Sequence, residues 1–236
     1  MQEAINKRIS RRTFEKKAIP NQIVKQIEIW IGNINDQSGL AIQFIEDGSA
    51  AFQSFKKTYG MFKNVRSVIL LKGMKDDIHL KEKIGYYGEE LILHMTNLDL
   101  GTCWVGGTFD ENVFKIETEN EELICVIPVG IISSTTLKEK MIRSAVHRKT
   151  KTMEERITSD SDLPQWVVSG MEVVMKAPSA LNSQKTKFIF KDHQIYAEII
   201  NDYKLDMVDL GIAKKHFEIG AGGTFEFGNG GRFNRS

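Results

Sequence analysis

Residues 19–44 read IPNQIVKQIEIWIGNINDQSGLAIQF, and residues 163–188 read LPQWVVSGMEVVMKAPSALNSQKTKF. The two stretches align without a gap at an offset of 144 residues (163 − 19 = 144), and both have proline in the second position and phenylalanine in the last. In each, apolar residues recur with helical spacing after the proline, and a loop and a short strand follow. The repetition predicts that the chain contains the same structural unit twice.

The repeat also predicts how the chain is divided. We expect a first copy over residues 1–157 and a shortened second copy over residues 158–236, with the polar stretch Thr158–Asp162 at the boundary. A looser similarity, at an offset of 119 residues (209 − 90 = 119), relates Glu90-Leu91 to Asp209-Leu210. We expect the two copies to pack into one structural unit.

Further elements are expected between the repeats. The apolar runs Val65–Leu71 and Glu122–Ile132 predict buried strands, and Pro128 indicates an irregularity or an edge position in the second of them. The spacing of apolar residues predicts a helix from about Glu82 to Leu100, with Gly101 at its C-terminal cap.

Composition excludes several classes of protein. The chain has 236 residues, with 32 Lys and Arg against 31 Asp and Glu, so its formal net charge is +1 and the global signature of a nucleic-acid binder is missing. Its two cysteines, Cys103 and Cys125, could form at most one bridge. No apolar run is long enough for a membrane span, and the polar N-terminus does not resemble a signal peptide. We therefore expect a soluble cytoplasmic protein.

Four polar clusters could carry chemistry: Arg8–Phe14, Leu100–Asp110, the basic segment Lys138–Lys151, and Ala177–Gln184. Arginine and serine in the first cluster are donors suited to phosphate oxygens. The Gly-Gly pair in the second lets the backbone approach a planar ligand. The hydroxyl and amide groups of the fourth could bind the polar edge of a heterocycle. Each cluster alone would pass for a turn or a solvated charged surface.

Together the clusters resemble motifs of the FMN-dependent nitroreductase family. The family motif R-R-S-x-R-x-F is matched from Arg8 to Phe14, except that Ile9 replaces the second arginine. The family loop P-S-x-x-N-S-Q-P-W is matched over Pro178–Gln184, called here the PSN loop, but Lys185-Thr186 stands where Pro-Trp is usual.

The other two clusters match as well. The family segment L-G-x-x-x-x-G-G-F is similar to Leu100–Phe109 with an additional Thr108, and a basic stretch before a Glu-Glu pair is similar to Arg148–Glu155. The resemblance implies an α+β protein with the three-layer α-β-α nitroreductase-like fold and a central mixed, mainly antiparallel sheet.

One departure from the family pattern concerns the position of the PSN loop. Family enzymes are homodimers with FMN at the subunit interface, and their loop follows the first helix, where this chain reads Ile34-Asn-Asp-Gln-Ser-Gly39. The loop lies 144 residues later, in the second repeat. The chain therefore resembles a dimer interface folded into one polypeptide, an internally duplicated pseudo-dimer with one flavin site, either monomeric or a weak homodimer.

The resemblance implies a set of FMN contacts. Arg8 and Ser10 would bind the phosphate together with basic residues of 148–151, Arg12 would lie beside the pyrimidine ring, and the PSN loop would line the edge of the flavin. Backbone amides near Gly106 would approach the central ring. The implied cofactor-binding residues are Arg8, Ile9, Ser10, Arg12, Val105, Gly106, Gly107, Arg148, Lys149, Lys151, Pro178, Ser179, Ala180, Asn182 and Gln184.

The implied activity is hydride transfer from NADH or NADPH through FMN to a nitroaromatic, a quinone or a similar small-molecule acceptor, in a ping-pong cycle. Since the flavin carries this chemistry, no catalytic side chain and no metal ligand are expected, and neither nucleic acid nor a membrane is an expected partner. Other functions remain open at this point: a protein that sequesters or senses FMN with little turnover, a phosphate-rich ligand or RNA binder using Lys138–Lys151, and a flavin-free remnant that lost its site with the Pro-Trp pair.

Overall fold

The computed structural model describes residues 1–114, 118–146 and 150–235. The chain forms two compact units, which we name by their sheets. The four-stranded unit comprises Lys7–Leu80 and Leu91–Ala145. The five-stranded unit comprises Met1–Asn6, Lys81–Glu90 and Val146–Ser236, so it takes residues from both expected copies.

The described residues form seven α-helices and nine strands. The helices are α1 (Gln2–Lys7), α2 (Asn21–Ser38), α3 (Phe55–Thr58), α4 (Leu80–Asn97), α5 (Leu137–Val146), α6 (Gln165–Val174) and α7 (Asp206–Ala221). The strands are β1 (Gln43–Ile45), β2 (Ser67–Met74), β3 (Leu100–Thr102), β4 (Glu121–Ile131), β5 (Ile157–Ser159), β6 (Lys187–Lys191), β7 (Gln194–Glu198), β8 (Gly223–Phe225) and β9 (Gly231–Arg235). The expected α+β class and the mixed, mainly antiparallel pairing are confirmed, with the strands divided between two sheets.

The four-stranded unit is built on the antiparallel sheet β1-β2-β4-β3. The apolar runs that predicted β2 and β4 are buried at its centre, as expected. Of the two alternatives expected for Pro128, the edge position is wrong, because β4 lies between β2 and β3, whereas an irregularity is present, because the pairing with β3 is interrupted at this residue. Proline is tolerated there because β3 pairs with β4 only from Val129 onward, so the missing N–H of Pro128 faces no ladder partner on that side.

The end of α4 also differs from expectation. The helix stops at Asn97, and Asp99 adopts a left-handed φ of 56°, which turns the chain before Gly101 is reached. Gly101 lies in β3 instead, where a Cβ would meet the Cγ2 of Ile132 at 2.2 Å and the Cβ of Arg11 at 3.0 Å. Glycine is therefore needed there for a close backbone approach, and the expected C-terminal cap is wrong.

The five-stranded unit has strand order β5-β6-β7-β9-β8, with β5 and β6 parallel and the other pairs antiparallel. Its core is rich in aromatic side chains, and the buried members are Ile157, Val167, Met171, Val174, Phe188, Phe190, Ile195, Ala197, Ile199, Leu210, Ala213, Phe217, Phe225 and Phe233. The polar stretch expected at the boundary between the copies begins inside β5. No helix in the described part of the chain combines the length and the apolar character that crossing a membrane requires.

Within this unit, residues 81–90 of α4 pack directly on α7. A Cβ on Gly85 would lie 2.0 Å from the carbonyl oxygen of Val208, and a Cβ on Gly211 would lie 2.0 Å from the carbonyl oxygen of Glu82. Adding 126 residues to Gly85 gives Gly211, and adding 126 residues to Glu82 gives Val208 (211 − 85 = 126 and 208 − 82 = 126). Each of the two contacts is therefore the counterpart of the other. Such reciprocity is the property of an isologous interface between two identical subunits.

Buried and half-buried side chains join the same two helix segments. The pairs are Glu82 with Lys214, Glu89 with His216, and Glu90 with Lys215. Adding 126 residues to Glu89 gives Lys215, and adding 126 residues to Glu90 gives His216. The last two pairs are therefore also counterparts of each other. The looser sequence similarity at 119 residues is therefore not the register in which α4 and α7 meet.

Candidate functional site

The N-terminal motif lies in the four-stranded unit as an extended segment. Ser10 forms a parallel bridge with Thr102, and Thr13 forms one with Lys63. The amide of Arg11 donates to the carbonyl of Thr102 at 2.7 Å. Because side chains alternate along an extended chain, residues 8, 10 and 12 share one side and Arg11 faces the other.

The side of the segment that carries residues 8, 10 and 12 acts on the thiol of Cys103. Burial raises the pKa of its thiol, while the charges of Arg12 and Arg8 and a hydrogen bond with Ser10 act in the opposite direction. The charges of the two guanidinium groups and the hydroxyl of Ser10 therefore act on one buried sulfur. The structure thus gathers the three polar residues expected to contact the phosphate and the pyrimidine ring, all of them half-buried.

Arg11 has a different environment. Its Nε donates to the carboxylate of Glu139 at 3.2 Å, and its Nη2 donates to the carbonyl of Ser133 at 2.9 Å. The same carboxylate also accepts the amides of Arg12 at 2.8 Å and Thr13 at 3.0 Å. Burial alone would raise the pKa of Glu139, but these hydrogen bonds and one from Thr136 outweigh it and lower the pKa to about 2.

Glu139 is therefore the residue that fixes the backbone of the motif, and sequence analysis missed it. In sequence it appears as one acid in a basic segment, a pattern that gives no sign of a buried anchor. Lys138, beside it in α5, donates to the carbonyl of Gly60. The side chain of Arg143 and all of residues 147–149 lie outside the described residues, so the expected phosphate contacts of Arg148 and Lys149 stay predictions.

The glycine-rich segment also lies in the four-stranded unit. Val105 is buried and exchanges two backbone hydrogen bonds with Val126, at 3.0 and 2.9 Å. Gly106 is half-buried and Gly107 is exposed. The chain therefore leaves the core at Val105 and presents its backbone at the surface at the Gly-Gly pair.

The PSN loop lies in the five-stranded unit, between α6 and β6. Its residues 180–182 form a short 3-10 turn, and Leu181, Asn182 and Gln184 have φ angles of 53°, 51° and 51°. Such angles are unfavourable for residues other than glycine and occur where surrounding contacts impose them. Within the loop, the hydroxyl of Ser179 accepts the amide of Gln184 at 3.0 Å.

Two residues outside the loop hold it in place. Lys151 donates its amide to the Oε1 of Gln184 at 3.1 Å and its ammonium group to the carbonyl of Gln184 at 2.9 Å. Asp209, on α7, accepts the amide of Ala180 at 2.9 and 3.0 Å through its two carboxylate oxygens. Lys151 therefore contacts the loop in the five-stranded unit. Asp209 was missed, because one acid in a helix gives no signal in sequence.

Within the described ranges, no group of three or more His, Cys, Asp or Glu side chains is arranged to hold a metal ion. The predicted site residues form two sets, one in each unit. The first set is Arg8, Ile9, Ser10, Arg12, Val105, Gly106 and Gly107. The second is Lys151, Pro178, Ser179, Ala180, Asn182 and Gln184.

Solved structures show the fold. The chain is similar to a putative nitroreductase from Thermotoga maritima with a TM-score of 0.64 and 20% identity, over 98% of this chain and 90% of that one. An FMN-dependent nitroreductase from Clostridium difficile R20291 matches with a TM-score of 0.43 and 15% identity, over 63% of this chain and 99% of that one. A nitroreductase with bound FMN from Bacteroides fragilis matches with a TM-score of 0.43 and 13% identity, over 58% of this chain and 93% of that one.

The comparison with curated proteins found no match. A family model described as Putative TM nitroreductase matches residues 1–221, which is nearly the whole chain. The full-length similarity to the Thermotoga maritima structure agrees with that match at the level of the fold. The chain belongs to the Putative TM nitroreductase family.

Proposed function

We propose that this protein is an FMN-dependent oxidoreductase that takes hydride from NADH or NADPH and reduces a nitroaromatic, a quinone or a similar small acceptor in a ping-pong cycle. Family membership supports the general class of activity. The observation that carries the cofactor assignment is the extended segment that places Arg8, Ser10 and Arg12 on one side, where all three act on the buried thiol of Cys103. When bound, FMN would supply the redox chemistry.

The donor set of the four-stranded unit fits a phosphate. The guanidinium group of Arg8 and the hydroxyl of Ser10, on one side of an extended segment, can supply charge-assisted hydrogen bonds to a dianion. Glu139 holds the backbone of that segment through the amides of Arg12 and Thr13, so the donors are positioned before the ligand arrives. In this proposal Arg8 and Ser10 bind the phosphate, and Arg12 places positive charge beside the pyrimidine ring.

The PSN loop fits the polar edge of a heterocycle. Its side chains, except the buried Gln184, are exposed or half-buried, and its backbone is fixed by Asp209 and Lys151. In this proposal Ser179 and Asn182 hold the flavin edge in register, and the amides near Gly106 lie against the central ring. No side-chain acid or base is then needed for hydride transfer.

The proposal includes one chain doing the work of two subunits, with residues 1–157 supplying the phosphate side and residues 158–236 supplying the loop. Both repeats begin with the same local structure. The amides of Ile23 and Val167 donate to the carbonyls of Pro20 and Pro164 at 2.8 and 2.9 Å, at the starts of α2 and α6.

Chain lengths agree with a shortened second copy. The helix α4 begins 36 residues after Phe44 (80 − 44 = 36), whereas α7 begins 18 residues after Phe188 (206 − 188 = 18). A deletion of 18 residues in the second copy changes the offset from 144 to 126, which is the offset of the reciprocal contacts between α4 and α7. The proposed pseudo-dimer therefore accounts for both offsets.

Anaerobic reduction tests the proposed function. The purified protein, reconstituted with FMN and freed of excess, is mixed with NADH or with NADPH, and the loss of the oxidised flavin spectrum is followed. We expect reduction within minutes by at least one of them and reoxidation on adding a nitroaromatic or a quinone. Flavin that stays bound and oxidised with both nucleotides would identify a protein that sequesters or senses FMN instead of an enzyme.

A further inference from the structure

The PSN loop needs support from outside itself. Three of its non-glycine residues, Leu181, Asn182 and Gln184, have left-handed φ angles. Local contacts such as the hydrogen bond from Gln184 to the hydroxyl of Ser179 close the turn but do not tie it to the core. A loop with this backbone persists only where neighbouring structure imposes it.

Asp209 ties the beginning of the loop to the core. Both of its carboxylate oxygens accept the amide of Ala180, and the hydroxyl of Ser183 lies 3.4 Å from its Oδ2. The side chain is buried, with 4% of its surface exposed. Because α7 is packed on α6 and on residues 81–90 of α4, the carboxylate is a fixed point to which the loop is attached.

The charged groups around Asp209 are few. Asp206 lies one turn earlier on α7 and binds Lys185, which also pairs with Asp202. The guanidinium group of Arg156 is buried and donates to the carbonyl of Val174 at 3.0 Å. Burial lowers the pKa of Arg156, and the negative charge of Asp209 acts to raise it. Asp209 is thus a carboxylate with no ion-pair partner at hydrogen-bond distance among the described residues, and its direct contacts are the loop donors.

We infer that Asp209 is a positioning residue that holds the beginning of the PSN loop in its FMN-binding conformation, so that FMN affinity depends on whether this carboxylate is ionised. The inference rests on the proposed function. A carboxylate accepts a backbone amide more strongly than a neutral carboxyl group does. Asp209 does not touch the reacting atoms and acts only through Ala180 and Ser183.

The pKa gives the direction of the pH dependence. Burial, with a contribution from Asp206, raises the pKa of Asp209 to about 7, although the amide of Ala180, the hydroxyl of Ser183 and the charge of Lys185 act to lower it. Above pH 7 the carboxylate holds the loop, and below it the protonated group holds the loop less firmly. FMN should therefore bind more tightly at pH 8.5 than at pH 5.5.

The test compares the FMN dissociation constants of Asp209→Asn and the native protein from pH 5.5 to pH 8.5, using the quenching of FMN fluorescence. Taking the ratio at each pH cancels the titration of the FMN phosphate. The control is Asp160→Asn, which removes an exposed carboxylate that accepts the amide of Asp192 in the same unit. We expect about tenfold weaker binding for Asp209→Asn at pH 8.5, converging on the native value at pH 5.5, and a control ratio near one throughout.

Failure of the inference and failure of the proposed function give different results. A native protein that binds no FMN at any pH would overturn the proposed function. Native binding with a constant ratio for Asp209→Asn would overturn the role of Asp209 alone. If that variant does not fold, amide hydrogen exchange of the native protein decides: protection of the Ala180 amide must fall as the pH drops below 7, and protection independent of pH would contradict the inference.

Discussion

Glu139 shows how one side chain decides the roles of its neighbours. Its carboxylate binds the side chain of Arg11 and the amides of Arg12 and Thr13. Since side chains alternate along an extended segment, fixing Arg11 on one side leaves residues 8, 10 and 12 on the other. Arg11 therefore differs in its surroundings from Arg8 and Arg12.

The arginines can be separated by substitution. Arg8→Ala should release FMN more readily than Arg11→Ala, because Arg8 is the proposed phosphate ligand. Arg11→Ala should lower the free energy of unfolding by roughly 3–5 kcal/mol, because it removes the ion-pair partner of the buried Glu139. Flavin retention on a desalting column and thermal melts of the apoproteins measure the two effects. Equal loss of flavin at equal melting temperature would contradict the assignment.

A second pair of substitutions compares equivalent positions in the two repeats. Asn182→Ala should weaken FMN binding, whereas Ser38→Ala, at the equivalent position (182 − 144 = 38), should not. The hydroxyl of Ser38 donates to the carbonyl of Ile34 at 2.6 Å and accepts the amide of Leu40 at 3.1 Å. Its removal should lower the stability of the fold by about 1 kcal/mol. An equal effect of both variants on the FMN dissociation constant would rule out a single site.

The raised pKa of Asp209 also makes the free energy of unfolding depend on pH. Its pKa is raised from 3.8 to about 7 in the folded protein, so the stabilisation it provides is full below pH 3.8 and is lost as the pH rises to 7. This rise in the pKa corresponds to a loss on the order of 4 kcal/mol. The asparagine variant does not titrate at this position. In melts of the apoproteins, the melting temperature of Asp209→Asn minus that of the native protein should therefore increase from pH 4 to pH 8. A constant difference would contradict the raised pKa.

At the scale of elements, the contact between α4 and α7 depends on glycine. Gly85 and Gly211 let each helix approach a carbonyl group of the other, and ion pairs between the same segments are placed around that contact. Neither glycine forms a turn or has a positive φ, so neither is a conformational requirement of its own helix. The requirement comes from the partner helix.

Replacing a glycine by alanine should have opposite effects on the free energy of unfolding in α7 and in α2. Gly211→Ala places a Cβ 2.0 Å from the carbonyl oxygen of Glu82, a rigid backbone atom, and should lower the free energy of unfolding by about 3 kcal/mol. Gly32→Ala in α2 meets nothing within 4 Å and should raise it by about 0.5–1 kcal/mol. Chemical denaturation of both variants measures the contrast. A loss for Gly32→Ala as large as for Gly211→Ala would exclude the packing explanation.

At the scale of the whole molecule, the pseudo-dimer proposal predicts the number of cofactors. A symmetric dimer would need two sets of phosphate donors and two PSN loops, but this sequence contains the loop motif once. We therefore expect one FMN per chain. Flavin absorbance against protein concentration from amino-acid analysis measures the ratio, and two FMN per chain would contradict the duplication.

Sequence analysis placed the strands and helices well where apolar runs decide them. The strands β2 and β4 and the helices α2, α6 and α4 lie where the patterns predicted, because burial of their apolar faces is enough to select each element. The wrong expectations are the edge position of Pro128 and the C-terminal cap at Gly101. In both, the role of the residue depends on which segment lies beside it, and a periodic pattern carries no such information.

The family, the α+β class and the candidate residues follow from the amino-acid sequence alone, because motifs and apolar periodicity are properties of residues close together in the chain. Three features appear only in the folded chain: Arg11 is bound to Glu139, Asp209 and Lys151 hold the PSN loop, and α4 and α7 meet with an offset of 126 residues. These are contacts between residues far apart in the chain. Their energies arise from burial and hydrogen-bond geometry, which exist only once the chain has folded.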